Sequence, residues 1–151
     1  MIKSEKIEMQ IRQESKKCLY RTTEMSIEDI ISFYNETIFQ KKWDNNKKSL
    51  YIESLLLSYP LTSFIFVESN EGYLIVDGNE RINSIIEFIN GDLLLNVKKI
   101  SKLKGLGYKN LILSRQRNFL RKSIRITVLN ESTDDETIKY IYSSCNIQLI
   151  V

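Results

Sequence analysis

The amino-acid sequence predicts an α+β fold, and three observations carry the prediction. Five segments read as helices, two of them with apolar residues repeated at helical spacing, and shorter runs are rich in β-branched and aromatic residues. The two kinds are mixed along the chain without an internal repeat. With 151 residues, 42% of them apolar and 27% charged, the chain can bury the core of one domain spanning residues 1–151.

Taken in order, "KIEMQIR" alternates, placing Ile7, Met9 and Ile11 on one side, and predicts a half-buried strand. Ser26 is placed to cap a helix over "SIEDIISFYNE", whose first turn carries Glu28 and Asp29 where the helix dipole favours them. "TIFQ" predicts a short strand. "KKSLYIESLLLSY" predicts a helix with Leu50, Ser54 and Leu57 on one face and Ile52, Leu55, Leu56 and Tyr59 widening a buried stripe. Pro60, the one proline, stops it.

"SFIFVES" and "GYLIVD", joined through "NEG", predict a hairpin. After Gly78, Ile82, Ile85, Ile86 and Ile89 mark a helix that Asn90-Gly91 ends. "DLLLNV" predicts a short strand, "SKLKGLGYKN" a loop, "SRQRNFLRK" a helix, "SIRITVLN" a strand and "TDDETIKYIYSSCN" a final helix with acids at its start.

Composition narrows the chemistry. The chain has no histidine, which excludes Ser-His-Asp and Cys-His nucleophile systems, an HNH nuclease site and His-ligated zinc. Cys18 and Cys145 fit no metal spacing and read as reduced or buried thiols. "MIKSEKIEMQ" does not read as a signal peptide and no apolar run is long enough to cross a bilayer, so the expected location is cytoplasmic, with no membrane partner.

Charge is unevenly placed. Between Asp92 and Glu131 there is no acid, while Lys98, Lys99, Lys102, Lys104, Lys109, Arg115, Arg117, Arg121, Lys122 and Arg125 exceed the chain's whole net charge of +3. That window is a candidate face for DNA or another partner, or simply a solvated surface. Tyr108 and Phe119 within it, and Trp43 before it, read more readily as packing than as stacking platforms.

The candidate site is "IVDGNERINSI", where Asp77, Gly78, Asn79, Glu80 and Arg81 sit at a strand-to-helix seam. A glycine there lets backbone approach a ligand closely, and a helix N-terminus offers N–H groups to phosphate. Arg81 can add a bidentate contact, Ser84 lies one turn on, and Asp77 can hold a divalent metal or orient a water. The same residues also make an ordinary capped turn.

This stretch resembles the DGQQR signature of the GmrSD-type restriction endonuclease N-terminal domain family, within the ParB/sulfiredoxin-like superfamily. "FQKKW", "SLYIESLLLSYPLTSFIF", "EFINGDLLL", "IRITVLN" and "IKYIYSSCN" resemble other family elements in the right order, over roughly 26–146. The resemblance implies a ParB-like fold, a small mixed sheet with flanking helices. It also implies a domain that binds and hydrolyses nucleoside triphosphates with Mg²⁺ in systems that recognise modified DNA and cut it, the cutting belonging to a separate HNH domain.

Carried across, Asp77, Gly78, Arg81 and Ser84 match the signature, Gln40 the family's glutamine, and Glu53 and Ser54 its Glu-Ser pair. Departures are Asn79 and Glu80 for two glutamines, Asn83 for the first hydroxyl, and Lys41 for an arginine. The resulting assignment makes Asp77 and Glu80 the catalytic and metal-binding carboxylates. Gly78, Asn79, Arg81, Ser84 and Gln40 are the nucleotide contacts.

Three functions are expected to compete. The first is a nucleotide-binding domain of a DNA-defence system, with weak Mg²⁺-dependent hydrolysis and a basic face for DNA or a larger nuclease or defence protein. The second is a non-enzymatic DNA- or protein-binding module, such as a regulatory subunit or a mobile-element inhibitor. The third is a nuclease using Asp77, Glu80 and Glu53.

Overall fold

The structure, a computed structural model, describes residues 2–34 and 43–148, with side chains described as far as Ser144. The strand expected over 37–40, Gln40 itself and the last residues, 149–151, lie outside them. The described order is α1 (Lys3–Ser15), β1 (Tyr20–Ser26), α2 (Ile27–Phe33), α3 (Asn45–Leu56), β2 (Phe64–Ser69), β3 (Gly72–Asp77), α4 (Asn79–Asn90), α5 (Leu113–Leu120), β4 (Ser123–Leu129) and α6 (Asp135–Gln148). These elements form the predicted α+β class, with a four-stranded sheet ordered β1-β4-β2-β3. The chain divides into two compact units, Met1–Thr23 with Phe64–Asp77 and Ile126–Val151, and Glu24–Ser63 with Gly78–Arg125.

In the first unit, β2 and β3 form the predicted hairpin, antiparallel, with Phe66 opposite Ile75 and Ser69 opposite Gly72. Gly72 takes a φ of 118°, which the tight Asn70-Glu71 turn requires. The register shifts between Ile65 and Phe66, a bulge just before the strand ends at Asp77. β2 also pairs parallel with β4, Phe64 opposite Ile126 and Val67 opposite Leu129. A strand with neighbours on both edges wants a nearly continuous apolar run, which "FIFV" supplies. Val67, Val76 and Leu129 form a buried cluster, with Cys18, Ile65, Ile138 and Ile141 packed against it. Asp134 caps α6, its Oδ1 accepting from the Thr137 N–H at 2.7 Å.

The strand expected at "KIEMQIR" is instead part of α1. Ile7, Met9 and Ile11 are exposed, and the helix buries no residue. Its Lys, Glu, Gln and Arg are good helix formers, Glu5 Oε2 accepts from the Ile2 N–H at 3.0 Å, and Glu8 pairs with Arg12 at 2.9 Å across one turn. Alternation without a buried face cannot enforce a strand. β1, by contrast, escaped the sequence reading because it too buries no residue and its "YRTTEMS" is largely polar.

In the second unit, Ser26 caps α2 as predicted, accepting from the Asp29 N–H at 3.1 Å. α3 buries Ser49, Tyr51, Ile52, Glu53 and Leu55, while Leu50 and Tyr59, expected inside, are exposed. The buried stripe is therefore rotated from the expected one. It runs along the line of Ile52 and Leu55, and a polar serine and glutamate share it. α4 buries Ile82 and Ile85 as its spacing predicts, but Phe88, not named by that spacing, completes the buried stripe while Ile86 and Ile89 are half-buried. Gly91 ends the helix with a left-handed φ of 84°.

The residues of "DLLLNV" form no sheet strand. Leu93, Leu95 and Val97 are buried and Leu94 is exposed, as in a strand, but Leu95 pairs with the local chain through Leu106 and Gly105. Phe88, Tyr108 and Phe119 meet as an aromatic cluster, with Phe88 5.5 Å from Phe119 and 5.6 Å from Tyr108 between ring centres. Tyr108 and Phe119 are thus packing residues, as the sequence favoured.

Candidate functional site

The site is built at the first turn of α4. Gly78 takes a φ of 129°, a conformation closed to residues with a β-carbon without strain. Its carbonyl accepts the first helical hydrogen bond, from the Ile82 N–H at 2.9 Å. Being a glycine, Gly78 offers no side-chain cap of its own. Asp77, immediately before it in the chain, ends β3 opposite Ile65.

Glu80 is the most informative side chain. Its Oε2 accepts from the backbone N–H of Trp43 at 2.7 Å. Its Oε1 is buried and has no hydrogen-bond partner among the described residues. A carboxylate oxygen out of water without a donor is costly, and a cation satisfies it. Among the described residues no group of three or more acids and thiols could cage a metal. A hard cation held by one or two carboxylates and completed by phosphate oxygens and water, as Mg²⁺ commonly is, fits that donor set.

Arg81 is buried and turned to the chain. One guanidinium nitrogen, Nη1, donates to the Thr62 carbonyl and hydroxyl, each at 3.0 Å, and lies 3.4 Å from the Ser63 carbonyl. It therefore fixes the segment that follows Pro60. Ser84 is fully buried, and its hydroxyl donates to the Glu80 carbonyl at 2.7 Å. Asn79 is buried beside them in the chain, and Asn83 Oδ1 accepts from the Tyr34 hydroxyl at 2.9 Å.

Trp43 stands against Tyr51 edge to face, 6.0 Å between centres, with the Lys47 ammonium 5.0 Å from its ring. Burial holds the Tyr51 phenol well above its usual value. Glu53, matched by resemblance, is buried, and its Oε2 accepts from the backbone N–H groups of Lys99 and Ile100 at 3.0 and 2.9 Å.

The basic candidates Lys98, Lys99, Lys102, Lys104, Arg115, Arg117 and Arg121 are exposed, on the loop after α4 and on or beside α5. Lys122 differs. It is half-buried, and its ammonium donates to the Ser58 hydroxyl at 2.6 Å. The sequence reading missed the roles of Thr62 and Trp43, because their partners lie far away in the chain. The signal within reach was the proline, which forces a turn shortly before Thr62.

The profile of the GmrSD restriction endonuclease, N-terminal domain family matches residues 27–150, nearly the whole chain. No curated protein and no solved structure matches it.

Proposed function

We propose that this chain, which belongs to the GmrSD restriction endonuclease N-terminal domain family, binds a nucleoside triphosphate with Mg²⁺ at the first turn of α4, in a restriction or defence context. The observation that carries the reading is the Glu80 carboxylate, pinned through one oxygen by Trp43 and left with the other buried and without a partner among the described residues. Gly78 puts no β-carbon at the helix start, and the positive end of the helix favours phosphate. Glu80 and, on sequence grounds, Asp77 would hold the metal, whose charge offsets carboxylates beside phosphate. Weak hydrolysis would use the same two acids to orient a water.

The test is calorimetric titration with GTP, UTP, CTP and ATP, with and without Mg²⁺, against Glu80→Gln. That variant keeps an acceptor for the Trp43 N–H and loses the charge. Binding that needs Mg²⁺ and weakens at least about tenfold in the variant supports the site. Equal binding by the variant overturns it.

A second reading, a non-enzymatic DNA- or protein-binding module, draws support from Arg81. The signature arginine holds Thr62 and Ser63, so it is a structural clamp as well as a candidate phosphate ligand. The exposed Lys98, Lys99, Lys102, Lys104, Arg115, Arg117 and Arg121 would be the contact face. DNA binding that falls steeply with salt and ignores nucleotide would select this reading.

A further inference from the structure

The same unit holds a cavity that none of Gly78, Asn79, Arg81 and Ser84 lines, although Arg81 reaches one of its wall residues, Thr62. It is a cleft of about 390 Å³ between the end of α3 with the turn after it and the start of β4. Its floor is apolar and buried, made by Tyr51, Leu55 and Ile124. One wall is Ser58, Tyr59, Leu61 and Thr62; the other carries Lys122, Ser123 and Arg125.

Two features mark it as more than a surface fold. Ser58 is the one non-glycine residue with positive φ among the described residues, at 57°, the position after a helix where glycine is favoured. Keeping a serine there has a backbone cost, and the hydroxyl has a use: it accepts from the Lys122 ammonium at 2.6 Å. Lys122 itself forms no ion pair among the described residues. Glu24, the acid at the rim, accepts instead from the Ser123 hydroxyl at 3.2 Å. Burial, and then the charge of Arg115, push the Lys122 ammonium below the usual lysine value. A half-buried cation held by a neutral hydroxyl, with further cations beside it, is completed by an anion.

We propose that this cleft binds a single nucleotide unit, its phosphate on Lys122 and Arg125 and its planar base against Tyr59 and Leu61. The volume suits a ligand of that size. Tyr59 and Leu61 are exposed at the wall, and Tyr59 already has the Lys99 ammonium 5.9 Å from its ring, so cation, aromatic face and phosphate-binding groups lie together. Arg81 acts here as a positioning residue, since the Thr62 it clamps is part of the wall. The shared chemistry is a phosphorylated base, supplied either free or as one residue of a nucleic-acid strand.

The test is titration in EDTA with 5′-dAMP, adenosine, inorganic phosphate and a five-nucleotide single strand. The absence of Mg²⁺ separates this cleft from the α4 site, and Glu80→Gln is expected to leave the binding unchanged. Lys122→Gln is expected to weaken dAMP at least about tenfold, the loss of one charge-assisted contact. Ser58→Gly relieves the backbone and removes the hydroxyl, so it folds and is expected to weaken dAMP several-fold. Adenosine is expected to bind far more weakly than dAMP. Tighter binding of the strand assigns the ligand to nucleic acid, and equal binding assigns it to free nucleotide; either supports the cleft. Unchanged dAMP binding in both folded variants overturns the proposal, as does inorganic phosphate binding as tightly as dAMP.

Discussion

Arg81 grips Thr62 at two points with one nitrogen, 3.0 Å from the carbonyl oxygen and 3.0 Å from the hydroxyl. The pair joins the first turn of α4 to the segment after Pro60, and at 6% exposure Arg81 is largely out of water. Arg81→Ala leaves Thr62 acceptors without their donor, and we expect it to destabilise the fold by about 3 kcal/mol in urea titration. Thr62→Val removes one of the two contacts, and a double-mutant cycle should return a coupling of about 1 kcal/mol or more. An Arg81→Ala protein as stable as the parent would show that the clamp is not structural.

Glu53 makes a similar long-range tie, one carboxylate oxygen serving two successive N–H groups, those of Lys99 and Ile100. Glu53→Gln should cost about 1–3 kcal/mol, because a charged acceptor is replaced by a neutral one in a buried place. Amide hydrogen exchange at residues 99 and 100 should quicken more than at residues of α4. Unaltered exchange there would rule out the capping role.

Gly78 opens α4 at a φ of 129°. Gly78→Ala forces a β-carbon into that conformation, and we expect a loss of about 1–3 kcal/mol in thermal or urea unfolding. A substitution without cost would mean that the turn relaxes freely and that glycine is not needed there.

The Phe88, Tyr108 and Phe119 cluster is the aromatic centre of its unit. Phe119→Ala should cost about 3–5 kcal/mol by lost transfer energy and the cavity left behind. Phe119→Leu should cost much less. Similar losses in both would point to the aromatic geometry rather than to volume.

The Asp134 cap gives a pH signature. Hydrogen bonding to Thr137 holds its carboxyl below the ordinary carboxylate range. A lowered folded value means the cap contributes fully above the unfolded value of about 3.9 and is lost as pH falls through the folded one. The Thr137 amide shift should therefore titrate with a midpoint below about 3.9. A midpoint at or above it would mean that the cap is not formed.

Much of the molecule was legible because it is local. The β2–β3 hairpin, the α4 pair Ile82 and Ile85, the Ser26 cap and the Gly91 stop depend on residues a few positions apart, and they fold as read. The errors share a cause. Ile7, Met9 and Ile11 alternate but touch no core, so propensity and charge pairs decide for helix. Leu50 and Tyr59 are apolar yet face outward, because the buried side of α3 is set by what it packs on, and Ser49 and Glu53 go inside with hydrogen bonds to the backbone at Asn96, Lys99 and Ile100.

The candidate site divides along the same line. The sequence alone determined the order of residues in "DGNER" and the glycine at the helix start, which rest on spacing and backbone sterics, and its match over residues 27–150 determined the family. Tertiary structure decided the use of each side chain: Arg81 on Thr62, Glu80 on Trp43, Lys122 on Ser58. Those partners are separated by 19, 37 and 64 residues, and no local rule places them. A buried polar group takes the donor or acceptor that packing brings within 3 Å, and packing is a property of the folded chain.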